Sequence, residues 1–267
     1  MRAELAAELC RPPTLVDARA ILRRAQDRPA FLVPEMIPAR DLTLITGDPG
    51  AKKSWIAYDL VRVVAQGGTW LGVPVRRQAL QACAALVLNY DNSTPECGRR
   101  FLRLGLQEAD PVRFHSLDIG APLRMPEAAE KLAVVADALR PSLILIDTFR
   151  QAHTCDENSS KEMMGIMGSL KRLYACGAAV VVVHHSGKTP SESSKSRGSQ
   201  EIDGSATAVL HVSVVEKSSG LQSVYWAKHR SWPMPEANET VHFRVTDYGE
   251  RTRVERADKP ARRERRQ

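Results

Sequence analysis

The segment Gly47 to Ser54 limits what this chain can fold into more than any other part of it. It reads Gly, Asp, Pro, Gly, Ala, Lys, Lys, Ser, and it lies between a strand-like run, Asp41 to Thr46, and a helix-like run, Lys53 to Gln66. Its glycines let backbone N–H groups curl around an anion, and a helix opening at its end points its positive pole at the same place. Lys53 then stands where a P-loop lysine reaches the outer phosphates of a nucleotide, and Ser54 where a hydroxyl meets Mg²⁺. The expected nucleotide-binding residues are Gly47, Asp48, Pro49, Gly50, Ala51, Lys52, Lys53, Ser54 and Trp55. One of them departs from the pattern. A glycine is wanted immediately before the lysine, and Lys52 must point away from the nucleotide or crowd it. A Gly-Pro turn followed by a basic helix start is the alternative.

A P-loop needs a carboxylate at the end of a neighbouring buried strand to hold the metal. Leu143 to Ile146 are four aliphatic residues followed by Asp147. A strand-end aspartate can be a simple helix cap; paired with the P-loop it is the expected metal ligand beside Ser54.

From residue 41 onward, short β-rich runs alternate with amphipathic helical stretches, the pattern of an α/β fold with a mostly parallel sheet flanked by helices. The spacing predicts strands at Asp41–Thr46, Ala84–Tyr90, Val112–Leu117, Leu143–Ile146 and Ala178–His184. Helices are predicted at Lys53–Gln66, from the N-cap Thr94, at Pro126–Leu139 and at Ser159–Tyr174. Three further runs, Thr207–Val215, Leu221–Lys228 and Thr240–Thr246, follow without long helices between them and predict a C-terminal antiparallel extension. The expected domains are a helical lead-in over 1–30, a core over 31–248 and a basic tail over 249–267.

Composition excludes several classes. No apolar run approaches the roughly 18 residues of a membrane span, and Met1 to Cys10 mixes Arg2, Glu4 and Glu8 into its alanines and leucines, unlike a signal peptide. A cytoplasmic protein with no membrane partner is expected. The 5 cysteines are scattered, without Cys-x-x-Cys or histidine at ligand spacing, which disfavours structural zinc and a disulfide framework. Net charge is +7, and the last 19 residues hold eight Lys or Arg against four Asp or Glu. Such a tail can bind polyanions or be a solvated end.

Further motifs follow in order: Phe31 to Pro38 before the P-loop strand, Asp156, Glu157 and Asn158 after the Asp147 strand, His184 and His185, then Arg197, Gly198 and Ser199. Together they resemble the RecA-like ATPases of the plasmid RepA type, a family of small hexameric replicative DNA helicases. The resemblance covers most of residues 31–230. It implies a RecA-like core that assembles into a homo-oligomeric ring, a hexamer, with ATP and Mg²⁺ bound between neighbours. It implies single-stranded DNA as the working partner and leaves room for partner proteins of replication or defence.

The family's pattern assigns roles by position. An acidic residue ending the second core strand orients the attacking water; here it is Asp91, one methylene shorter than the usual glutamate, and a turn or cap role is its rival. His185, or His184, stands where the family senses the γ-phosphate, with a buried core histidine as the alternative. Lys228 and Arg230 resemble the Lys-x-Arg pair that DnaB-type helicases push into the neighbour's ATP site, where they stabilise phosphoryl charge; a solvated edge pair is the rival reading. Arg197 is a second finger candidate, and the sequence does not rank the two.

In such proteins the loops after the metal-binding and sensor strands face DNA. They correspond to Gln151–Lys161 and Ser186–Ser199, the second carrying Lys188, Lys195 and Arg197 among serines. Neither holds an aromatic residue to stack a base, so binding is expected to be electrostatic and weakly sequence-selective. Two functions from other classes stay open: a nucleotide-dependent DNA-binding switch or scaffold with slow turnover, and a small-molecule kinase. The kinase has no evident place for the strands after residue 206 or for Lys228 and Arg230.

Overall fold

The computed structural model describes residues 31–76, 83–118, 124–185, 200–230 and 240–259, together with 17–19 and 22. The expected lead-in, apart from those few residues, and Lys188, Lys195 and Arg197 lie outside the described residues.

Nine strands form one sheet. In chain order they are β3 (Leu42–Gly47), β6 (Ala85–Asn89), β7 (Val112–Ser116), β8 (Leu143–Asp147), β9 (Ala179–Val183), β10 (Ala208–Glu216), β11 (Leu221–His229), β12 (Thr240–Asp247) and β13 (Thr252–Ala257). Four short strands stand apart as two hairpins, β1 (Phe31–Val33) with β2 (Ile37–Pro38) and β4 (Thr69–Trp70) with β5 (Val73–Pro74). The helices are α1 (Lys53–Gln66), α2 (Thr94–Leu104), α3 (Ala129–Leu139), α4 (Ser160–Ala175) and α5 (Gln200–Ser205).

Across the sheet the order is β13-β12-β11-β10-β3-β9-β8-β6-β7. From β10 to β7 every neighbouring pair is parallel, and β11, β12 and β13 add antiparallel strands at the other side. Aliphatic runs explain the centre: every residue of β8 and β9 is buried, as a strand covered on both faces requires. One core layer packs Ile56, Leu60 and Val64 of α1 against Ile45, Leu145 and Val181. The opposite layer packs Leu132 of α3 and Ile166 and Leu170 of α4 against Leu44, Ile146 and Val180.

Three expectations need correction. The run predicted at Thr207–Val215 pairs antiparallel with β11 as expected, but its other edge pairs in parallel with β3; α5 lies in the connection before it, and at six residues it is too short to show as a helical period. The helix predicted from Pro126 begins at Ala129, after a turn in which the Met125–Pro126 peptide is cis. The segment read as a tail from residue 249 contains β13, whose Thr252, Val254 and charged neighbours alternate as an edge strand beside β12. A smaller difference concerns α2, whose N-cap is Ser93 without a side-chain hydrogen bond. The Asp118 carboxylate takes the capping role from a distant loop, accepting from the Thr94 N–H at 2.8 Å and from its hydroxyl. Among the described residues, no helix is long and apolar enough to cross a membrane.

Candidate active site

The carboxyl ends of parallel strands, where their loops leave the sheet, are where α/β folds place ligands. At this edge β3 runs into the P-loop and α1. Gly47 has φ +143°, and a Cβ there would stand 2.2 Å from the Val212 carbonyl oxygen of β10. A side chain therefore does not fit at the loop's first position. Gly50 has φ +81°, and Ala51 N–H closes a turn on Asp48 O at 3.1 Å.

Lys52 caps α1 at φ 65° and ψ 22° and is exposed. The glycine wanted before the P-loop lysine is thus a demand for left-handed backbone, which here a lysine meets with its side chain turned to solvent. Lys53 turns inward. Its Nζ donates to the carbonyl oxygens of Gly47 and Asp48, both at 2.8 Å, so the ammonium lies inside the curl of the loop. Burial lowers the Lys53 pKa to about 8, against the opposing pull of Asp147, Asp48 and Asp91.

Asp147 ends β8 fully buried. Ser54 Oγ donates to its Oδ1 at 3.3 Å, and Oδ2 has no hydrogen-bond partner among the described residues. Burial pushes the carboxyl up to about 6; the Tyr58 and Ser54 hydroxyls pull it back and the charge of Asp91 adds to the rise. An orphaned, buried carboxylate oxygen beside a serine hydroxyl fits a hard divalent cation, which favours oxygen ligands and usually keeps water in its shell. The loop's backbone and Lys53 fit the phosphates of a nucleoside triphosphate that such a cation would accompany.

Asp91 follows β6 and is exposed. Asn89 pairs with Asp147 in the sheet and Tyr90 N–H donates to Asp147 O at 2.6 Å, which brings the Asp91 turn beside the end of β8. His184 is buried, its ring 5.1 Å from that of Phe149, while His185 is half-buried. Trp55 faces α2, with the Arg100 guanidinium 5.9 Å from its ring centroid.

Lys228 and Arg230 do not join this cluster. Register places His229 opposite Ala208, and Ala208 beside Thr43, while Gly47 lies beside Val212. The pair thus sits at the far edge of the sheet, about 13 Å along the strand direction from the loop. Lys228 Nζ donates to Asp203 O and, at 3.3 Å, to Gly204 O, and Arg230 donates to Gly204 O. Both cations meet the carbonyl end of α5, where the helix carries partial negative charge.

Sequence reading missed Tyr58, which looks like one more apolar-face residue of α1, and the buried pair Thr46 and His211, whose Oγ1 and Nδ1 lie 3.1 Å apart. Only the parallel pairing of β10 with β3 makes that contact.

The family model for an AAA domain matches residues 6–191, more than half of the chain. The chain belongs to the AAA domain family. Its structure superposes on the RadB recombinase with a TM-score of 0.58 at 17% identity, covering 83% of this chain and 93% of that one, a likeness of fold. A comparison with curated proteins finds no match. This AAA domain is a P-loop ATPase with a RecA-like fold, in which the loop after β3, the start of α1 and the end of β8 meet at one edge of the sheet.

Proposed function

We propose that this chain is an ATP-dependent, ring-forming DNA motor of the replicative-helicase type, working on single-stranded DNA with ATP and Mg²⁺. One observation carries the reading: the P-loop and Asp147 stand together at one edge of the sheet, while Lys228 and Arg230 lie beyond reach of them at the other. A phosphoryl-transfer site needs a cation for the transferring phosphate, and a neighbouring subunit presenting Arg230 would supply it. In this reading Lys53 holds the outer phosphates, Ser54 and Asp147 hold the metal, and Asp91 orients water. His185 senses the γ-phosphate, while Lys188, Lys195 and Arg197 contact DNA phosphates. The likeness to a protein named a recombinase agrees with work on DNA.

A second reading, an ATP-dependent DNA-binding switch or scaffold with slow turnover, is favoured by the left-handed Lys52 and the short Asp91 side chain. The test is the mass of the complex with an ATP analogue, together with ATPase rates with and without single-stranded DNA and a strand-displacement assay. A hexameric mass, DNA-stimulated hydrolysis and displacement are expected. ATP-dependent DNA binding without displacement selects the switch, and phosphate transfer to a metabolite overturns both.

A further inference from the structure

Tyr58 lies four residues after Ser54, one turn along α1, and is fully buried. Its ring is fixed by stacking on Phe101 of α2, with centroids 4.5 Å apart and planes 19° from parallel. Its hydroxyl stands at a junction. Asn92 Nδ2 donates to it at 3.4 Å, and the Cys97 thiol donates to it at 3.9 Å. The phenol thus links α1, one turn beyond Ser54, to the turn that follows β6.

Asn92 is itself held. Asn89 Nδ2 donates to Asn92 O at 2.6 Å and Asn92 N–H donates to Asn89 Oδ1 at 3.2 Å. Asn89 is anchored by its second donation, to Ser116 Oγ at 2.8 Å. The turn so closed contains Asp91, and its Tyr90 N–H is bound to the Asp147 carbonyl. The turn that carries Asp91 is therefore held to β8 through its backbone and to α1 through one phenol.

We propose that Tyr58 is the positioning residue of the hydrolytic step, its hydroxyl tying α1, one turn beyond Ser54, to the 89–92 turn and so fixing Asp91 relative to the metal site. The proposal rests on the reading of Asp91 as the group that orients water. A hydrogen-bonded side-chain network selects one geometry, and a displacement near 1 Å at a reacting centre costs about 10²-fold in rate. In the proposed reading nucleotide binding uses the P-loop backbone and Lys53, whose ammonium is bonded to Gly47 O and Asp48 O and not to Tyr58.

The test compares Tyr58→Phe, Asn92→Ala and Asp91→Asn by Mg²⁺-dependent ATPase kinetics and by binding of a fluorescent ATP analogue. Tyr58→Phe keeps the ring and its stacking and removes only the hydroxyl. Its kcat should fall about 30-fold, within the range for a misplaced reacting group, with KM and nucleotide affinity unchanged; a merely structural role would move them together. Asn92→Ala, at a half-exposed site, should give a similar loss, and the double variant should be no worse than either single one, as expected for a shared network. If Asp91→Asn collapses kcat while Tyr58→Phe leaves it intact, or if the two single losses multiply, the positioning role is overturned. If Asp91→Asn leaves kcat unchanged, the Asp91 reading fails and this proposal falls with it.

Discussion

Ser54 and Asp147 are 93 positions apart in the chain, yet the serine hydroxyl donates to the aspartate carboxylate at 3.3 Å. The contact exists because β3 and β8 flank β9 in one parallel sheet, so the loop after one strand and the last residue of the other open on the same edge. The first turn of α1 supplies the hydroxyl, the apolar strand supplies the acid, and the Lys53 ammonium occupies the loop beside them.

The two adjacent lysines should behave as opposites. Lys53→Ala removes the ammonium inside the loop and should abolish nucleotide binding, measured by titration with a fluorescent ATP analogue. Lys52→Ala should be much milder, because that side chain is exposed. Lys52→Gly relieves left-handed backbone and should raise stability by of the order of 1 kcal/mol in urea unfolding. Equal damage from losing either lysine would show that the register of the loop is shifted.

Stability should fall in mild acid. Burial holds the imidazoles of His115, His153, His211 and His229 below their ordinary value of 6.5. Just below pH 6.5 the unfolded chain therefore binds more protons than the folded one, so their neutral burial is fully tolerated above that pH and destabilises the fold as pH drops through the lower folded values. Urea midpoints taken from about pH 7.5 down to about pH 5 should decline, and His153→Asn or His211→Asn should flatten the slope. A midpoint that rises on acidification contradicts the assignment.

How much of the structure is legible in the sequence follows from the range of each interaction. The P-loop and Asp147 are contiguous motifs whose flanks carry their own periodicity, and α1 spans the predicted residues. Tyr58 is hidden, since a tyrosine at an apolar helical position reads as packing and its partners Asn92 and Phe101 come from two other parts of the chain. The cap on α2 is hidden for the same reason, Asp118 being 24 residues from Thr94. β13 reads as a tail because an edge strand keeps its outward positions charged, and Arg253, Glu255 and Arg256 dominate its composition.

Replacing Lys188, Lys195 and Arg197 together should weaken single-strand binding and flatten its salt dependence, since the log–log slope shrinks by about 0.7 for every DNA phosphate the protein no longer neutralises. Fluorescence anisotropy with a labelled oligonucleotide across a salt series measures it. Because Arg197 is also a finger candidate, Lys188 and Lys195 changed without it give the cleaner test. An unchanged slope moves the DNA-binding surface elsewhere, with the basic residues after 249 as the first suspects.

Arg230 separates binding from hydrolysis. Its donation to Gly204 O leaves other guanidinium donors to offer, and its strand end lies level with Thr43, at the edge of the sheet away from its own Gly47. Arg230→Ala should therefore leave nucleotide affinity nearly intact and cut hydrolysis by about 10³-fold, the scale of a missing arginine finger. Mixing the mutants tests whether it acts in a neighbour. An Arg230→Ala subunit combined with excess Lys53→Ala subunits should recover activity, because a shared interface can pair the intact P-loop of one with the intact arginine of the other. Co-assembled mixtures no more active than the separate mutants would return Arg230 to the role its present hydrogen bond shows, a cation on the carbonyl end of α5.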